Sequence, residues 1–346
     1  MNKFRVALSG DFKKPDGSAA YPMFDLSPLH DASDIEVEYV DPVDGRMSAG
    51  SLVGFDALIL LTPVFDANSV PSDGRLGIVA RFGVGYDTVD VDACTEAGIA
   101  VVITPDGVRR PVAVTILTFI LALAGRLFDK DRITREGPAG FDKRSGYMGM
   151  GLVGRTLGSI GIGNIGAEAF RICAPLGMKF IAHDPWANPE VVKEIGVELV
   201  DLDMVFRESD YLCVNTPLTD ETRHIVNAKR MAMMKPTAYL INTSRGPTVD
   251  QTALVEALNA GTIAGAGLDV FDPEPPLPDD PILHMDNVIV TPHALCWTDQ
   301  CFAGIGASDV QQVLMFKKGE VPSHLVNRDV AETMRFIERL TENAGG

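Results

Sequence analysis

A strand-like run at 156–160 leads into Gly161-Ile162-Gly163-Asn164-Ile165-Gly166, and a helix-like stretch continues through Ala174. No other feature restricts this chain as much. Three glycines at this spacing are common, but between a strand and a helix they describe one particular turn. The first glycine permits the tight turn, the second lets a pyrophosphate approach the backbone, and the third lets helix and strand pack closely. The anion then rests on unbonded N–H groups at the positive end of the helix. The competing reading is a glycine-rich turn that binds nothing. Asp184, at the end of the next apolar run, lies near the spacing of about 20 residues at which an acid hydrogen-bonds the adenosine ribose. Its charge repels a 2′-phosphate, and Pro185, Trp186 and Ala187 after it carry no cation. NAD is therefore expected rather than NADP.

That turn belongs to a longer pattern. Short apolar runs at 156–162, 179–183, 211–215, 238–242, 265–270 and 288–291 alternate with helical segments, which predicts a parallel sheet covered by helices and of the size of one dinucleotide fold. An earlier series at 4–8, 35–40, 57–61, 78–82 and 100–103 forms a second, smaller α/β unit. With 346 residues and roughly 150 residues per domain, two domains are expected. The boundary falls in the turn chemistry of 104–111, where Pro111 suits the first turn of a long apolar helix reaching about 127. The segment 134–151 reads as a loop. A further helix at about 298–317 and a polar end return the chain to the first unit, giving domains of 1–107 with 297–346 and of 108–296.

Composition narrows the function classes. A 46% hydrophobic and 22% charged chain has the apolar material for two cores, and its net charge of −17 opposes phosphate backbones and anionic lipid, so no nucleic-acid or membrane partner is expected. The five cysteines are scattered without a paired spacing, so neither a disulfide framework nor a metal site is indicated. The apolar stretch 112–124 is shorter than the ~20 residues that span a bilayer, and the N-terminus lacks a signal-peptide pattern. A cytoplasmic protein is expected.

Three late segments each place a polar residue just beyond a strand's carboxyl end, where open α/β sheets bind ligands. They are Asn242-Thr243-Ser244-Arg245-Gly246, Leu268-Asp269-Val270-Phe271-Asp272-Pro273-Glu274-Pro275 and Thr291-Pro292-His293-Ala294. Reducing a carbonyl by hydride leaves an alkoxide that needs a proton, which a histidine beside a carboxylate supplies near neutral pH. An arginine grips the carboxylate of a 2-oxo acid and polarises its carbonyl. Taken singly, Arg245, Glu274 and His293 also fit a surface ion pair, a solvated turn residue and a loop histidine.

Together with the glycine turn and Asp184, these motifs resemble the D-isomer-specific 2-hydroxyacid dehydrogenases over about 78–318, among them the phosphoglycerate dehydrogenase-like and hydroxypyruvate-glyoxylate reductase-like members. The resemblance implies two doubly wound parallel-sheet domains, a flavodoxin-like substrate domain and a Rossmann NAD-binding domain, with the active site in the cleft between them. It implies Arg245 as substrate anchor, His293 as general acid/base and Glu274 as the group holding His293 protonated. Asn164 and Ile165 then offer backbone contacts to the pyrophosphate, and Thr216, Thr243 and Asp269 line the cofactor site. Gly83, Val84 and Gly85, within Arg81-Phe82-Gly83-Val84-Gly85-Tyr86-Asp87, resemble the family's carboxylate-binding loop, an anion nest of N–H groups. The long helix corresponds to one that packs at a two-fold interface, so a homodimer is expected.

Departures from the pattern bear on the substrate. Thr62-Pro63-Val64-Phe65 stands where phosphoglycerate-type members carry an arginine, which argues for an unphosphorylated acid such as hydroxypyruvate or glyoxylate. Phe65 and Tyr86 then suggest an apolar pocket wall, with Arg109 or Arg110 as a cation at its rim or as part of a solvated hinge. Trp297 suits either a pocket wall or packing between domains. Phosphoglycerate dehydrogenase-like activity and a dinucleotide-sensing corepressor are the alternatives.

Overall fold

The structure is a computed structural model and describes residues 3–345. The chain divides into two compact units. One comprises the described residues up to Val108 and those from Trp297 onward, the other Arg109–Cys296.

The first unit holds β1 (Phe4–Ser9), β2 (Ile35–Val40), β3 (Ala57–Leu60), β4 (Ile78–Arg81) and β5 (Ala100–Val102). They pair in parallel in the order β2-β1-β3-β4-β5, the flavodoxin-like winding. Every residue of the central β3 is buried, because helices cover both faces of such a sheet. The edge at β5 is covered by the returning chain: Val326 N–H donates to the Val101 carbonyl at 2.8 Å, and Val101 N–H donates to Asn327 Oδ1 at 2.8 Å. Helix Asp299–Lys317 starts at Thr298, whose hydroxyl accepts from Cys301 N–H at 3.1 Å, a cap worth about 1 kcal/mol.

The second unit contains β6 (Thr156–Ile160), β7 (Lys179–His183), β8 (Glu198–Leu199), β9 (Tyr211–Val214), β10 (Tyr239–Asn242), β11 (Gly265–Leu268) and β12 (Val288–Val290). Their order is β12-β11-β10-β9-β6-β7-β8, all parallel. Winding reverses between β6 and β9, so the loops after these two strands diverge and leave room for a ligand. Side chains alternate between two cores. Tyr211 and Cys213 point into one with Phe119 and Phe170, while Leu212 and Val214 point into the other with Phe206 and Leu254. This is the period-two signature of a strand buried on both faces.

Three expectations are corrected. The sheet has a seventh strand, β8, of only two residues. The long helix begins at Pro105 and ends at Gly125, so Pro111 lies inside it. Pro105 takes the first-turn position at no cost in hydrogen bonding, whereas Pro111, inside the helix, removes one bond from the ladder and crowds the carbonyl four residues before it. This helix of 21 residues is long and apolar enough to cross a bilayer, but 56% of its apolar window is buried within the protein. Phe119 lies on Gly267, where a Cβ would come within 2.7 Å of its ring. Nor is the helix covered all round, since Val114 and Leu121 are exposed. Finally, 134–151 contains a short helix, Pro138–Asp142, and a 3-10 turn, Arg144–Tyr147.

Candidate active site

The loop after β6 has the geometry its glycines predict. Gly161 sits at φ +92°, and a Cβ there would come within 2.7 Å of the Asn215 carbonyl oxygen. A Cβ on Gly166 would stand 2.6 Å from the Gly161 carbonyl oxygen, whereas nothing lies within 4 Å of that position on Gly163. The third glycine therefore permits close packing and the second leaves the backbone open to a ligand. Ser159 Oγ donates to the Gly161 carbonyl at 2.5 Å and accepts from Asn215 Nδ2 at 2.9 Å, bracing the turn from beneath. Helix Asn164–Cys173 starts from Gly163 without a side-chain cap, so its first N–H groups, those of Asn164 and Ile165 among them, suit an anion.

Asp184 lies at the end of β7 beside this turn. Its Oδ2 accepts from Ile162 N–H at 2.9 Å and its Oδ1 from Trp186 N–H at 2.8 Å. The carboxylate thus positions the glycine loop as well as facing a cavity of about 360 Å³ lined by Ile162, Gly163, Asn164, Asp184 and Trp186. Arg109 and Arg171 line the same cavity. Arg110 instead pairs with Glu168 at 2.8 Å. Of the two arginines expected as a rim cation or as part of a solvated hinge, one lines the cavity beside the glycine turn and the other is bound to a buried glutamate. Elsewhere at this end of the sheet, Thr216 offers its carbonyl to Ser244 Oγ, and the Thr243 hydroxyl is buried with no partner among the described residues. A buried, unsatisfied hydroxyl and an open glycine cradle are what a dinucleotide would complete.

The three remaining polar residues converge within this same unit. Arg245 follows β10, where Asn242 organises the loop: Asn242 Nδ2 donates to the Arg245 carbonyl at 3.0 Å and Oδ1 accepts from Ser244 N–H at 3.0 Å. The Thr248 hydroxyl donates to that same carbonyl at 2.6 Å. Asp269, buried after β11, accepts through Oδ1 from Thr291 Oγ1 at 2.6 Å and from the N–H groups of Ala294 and Leu295 at 3.1 and 3.3 Å. These bonds pin the turn after β12 that carries His293, which is held at φ +54°, an uncommon conformation for a residue with a Cβ. His293 Nδ1 lies 2.5 Å from Glu274 Oε1, and Glu274 Oε2 accepts from Phe271 N–H at 3.1 Å. Burial alone would raise the Glu274 carboxyl, but the hydrogen bond and charge of His293 outweigh it. The Phe271 N–H and the Arg245 charge add to this, so the group sits below the usual carboxylate range. It is therefore an anion at neutral pH. The arrangement can hold a carboxylate, polarise a carbonyl and deliver a proton.

In the first unit, Gly83 lies just after β4 at φ +129°. Its N–H donates to Thr104 Oγ1 at 3.0 Å and its carbonyl accepts from Thr104 N–H at 2.9 Å. The Gly83 N–H is thus committed within the fold, while Val84 and Gly85 are partly exposed. Phe65 is a correction: it is wholly buried in the core, not a pocket wall. Its N–H and carbonyl pair with the Thr88 carbonyl and the Asp90 N–H, tucking the side chain beneath the loop. Trp297 is half exposed and meets Tyr21 and Phe302 edge-on at 5.6 and 5.3 Å.

Comparison with known proteins agrees with this geometry. A model of the D-isomer specific 2-hydroxyacid dehydrogenase family, NAD binding domain, matches residues 117–294. The glyoxylate reductase of Korarchaeum cryptofilum is 40% identical over 279 residues, covering 80% of this chain and 84% of its own. The crystal structure of a glyoxylate reductase from Paecilomyes thermophila superposes with a TM-score of 0.80 at 27% identity, over 94% of this chain and 99% of that one. The NAD-complexed D-isomer specific 2-hydroxyacid dehydrogenase of Lactobacillus delbrueckii ssp. bulgaricus gives 0.75 at 26% identity, over 93% and 100%.

Proposed function

This chain belongs to the D-isomer specific 2-hydroxyacid dehydrogenase family, and from that premise we propose that it reduces a small, unphosphorylated 2-oxo acid, glyoxylate or hydroxypyruvate, with NADH. The observation that carries the reading is the 2.5 Å pair of His293 and Glu274, set with Arg245 at the same sheet end as the glycine turn. Held at the glycine turn by Gly163, Asn164, Ile165 and Asp184, NADH would supply a hydride for C2 of the acid, and the carbonyl oxygen would take one proton. Arg245 grips the carboxylate and polarises the carbonyl with its planar fork of donors. With Nδ1 of His293 engaged by Glu274, Nε2 is the nitrogen that donates the proton, and Glu274 fixes the orientation of the ring. In the first unit, the N–H groups of Val84 and Gly85 are suited to a carboxylate. An unphosphorylated substrate is supported by the loop at Thr62, whose N–H and hydroxyl both point at the Asp11 carboxylate, at 2.9 and 2.5 Å. A phosphate beside that anion would be repelled.

Glu274→Gln tests this chemistry. Loss of the carboxylate removes the acceptor that fixes the His293 ring through Nδ1, so kcat for 2-oxo acid reduction should fall by about tenfold or more while NADH binding persists. An unchanged kcat removes Glu274 from the mechanism. Because the Glu274 carboxyl is depressed in the folded protein, the stability it contributes is present above its unfolded value and fades as pH falls through the folded one.

The same proposal makes the protein a cytoplasmic homodimer without nucleic-acid or membrane partners. Val114, Leu121, Leu127, Phe128 and Met148 are exposed apolar side chains of the second unit, on or near the long helix, and a two-fold contact would cover them. Light scattering at micromolar concentration should give twice the chain mass, and a monomer rejects the dimer.

A further inference from the structure

The cavity beside Asp184 is lined by two arginines that the residues following Asp184 do not announce. Arg109 comes from the first turns of helix Pro105–Gly125 and Arg171 from helix Asn164–Cys173, and both line this cavity together with Asp184, Trp186 and Asn188. Arg171 is held by Glu194 at 3.1 and 3.2 Å and lies 3.5 Å from Glu168. The Glu194 side chain is 61% exposed and that of Arg171 36%. Pairs this open contribute little. Glu168 is already paired with Arg110 at 2.8 Å. Among the described residues, Asp184 is the one carboxylate lining this cavity, at the place where the adenosine ribose hydroxyls are expected.

Resting on the dinucleotide reading above, we propose that Asp184 alone bars a 2′-phosphate from a pocket whose other walls are suited to bind one, with Arg109 and Arg171 as its latent ligands. This NAD site is then one substitution from an NADP site, and its selectivity comes from repulsion by Asp184 rather than from a lack of cations. The sequence after Asp184 does not show this, because the arginines arrive from elsewhere in the chain.

Asp184→Asn keeps an acceptor for the Ile162 N–H and removes the charge. Dissociation constants for NADH and NADPH, read from quenching of protein fluorescence and checked by calorimetry, give the test without turnover. In D184N, NADPH should bind at least about tenfold more tightly than to the wild type and more tightly than NADH does, as expected for charge-assisted contacts replacing a repulsion. Adding Arg109→Gln or Arg171→Gln to D184N should each weaken NADPH by about fivefold or more while changing NADH by less than about twofold. If D184N still binds NADH but gains nothing for NADPH, the inference fails and the cofactor reading stands. Equal weakening of both dinucleotides by the arginine substitutions also overturns it, placing those arginines at the pyrophosphate or outside the site. A wild-type protein that binds neither dinucleotide overturns the cofactor reading and the inference together.

Discussion

His293→Ala should lower kcat for 2-oxo acid reduction by about 10²- to 10⁴-fold, the usual worth of a positioned general acid, with NADH affinity nearly unchanged. The separation follows from the fold: the imidazole is carried by the turn after β12, and the glycine turn by β6, with β9, β10 and β11 lying between them in the sheet. His293 is at φ +54°, where alanine is strained, so His293→Asn serves as the second variant. Asparagine tolerates the left-handed conformation but transfers no proton at neutral pH. A loss below tenfold in both variants would show that another group protonates the carbonyl oxygen.

Arg245→Ala should reduce kcat/KM for the acid by on the order of 10³-fold. It removes both the carboxylate grip and a donor to the carbonyl oxygen, where charge grows in the transition state and one donor alone is worth about 10²- to 10³-fold. Arg245→Lys should recover only part of the loss, because a point charge cannot make the two parallel bonds of a guanidinium. The Arg245 carbonyl is held by Asn242 and Thr248 whatever its side chain, so the loop itself should persist. Undiminished NADH binding would report that it has. Equal activity for the lysine variant and the wild type would assign Arg245 to charge balance alone.

Much of this site is legible in the sequence because its elements announce themselves locally. The glycines at 161 and 166 are required by close backbone contacts and the one at 163 leaves the backbone open to a ligand, and the strands that flank them are buried on both faces. What the sequence conceals has identifiable causes. Pro105 and Pro111 are equally good openings for a helix, and only the ladder through Pro111 decides between them. β8 pairs with β7 through just Glu198 and Leu199, too short a run to carry a period. Phe65 reads as a loop residue facing ligand, yet its backbone pairing turns it into the core. The Ser159–Asn215 brace and the Asp269 contacts to Thr291, Ala294 and Leu295 link residues far apart in the chain. The glycine motif pointed to the turn that Asn215 supports, but nothing local marked Asn215 itself. Arg109 and Arg171 reach the Asp184 cavity in the same way, from two helices, which is why reading onward from Asp184 found no cation.

Oxidation of NADH by the wild-type protein with glyoxylate, hydroxypyruvate and phosphohydroxypyruvate, compared as kcat/KM, tests the central claim most directly. The account predicts turnover with glyoxylate or hydroxypyruvate, and an advantage over the phosphorylated acid of tenfold or more, which is ~1.4 kcal/mol in the transition state. Absence of NADH oxidation with all three, or a tenfold preference for phosphohydroxypyruvate, would contradict it.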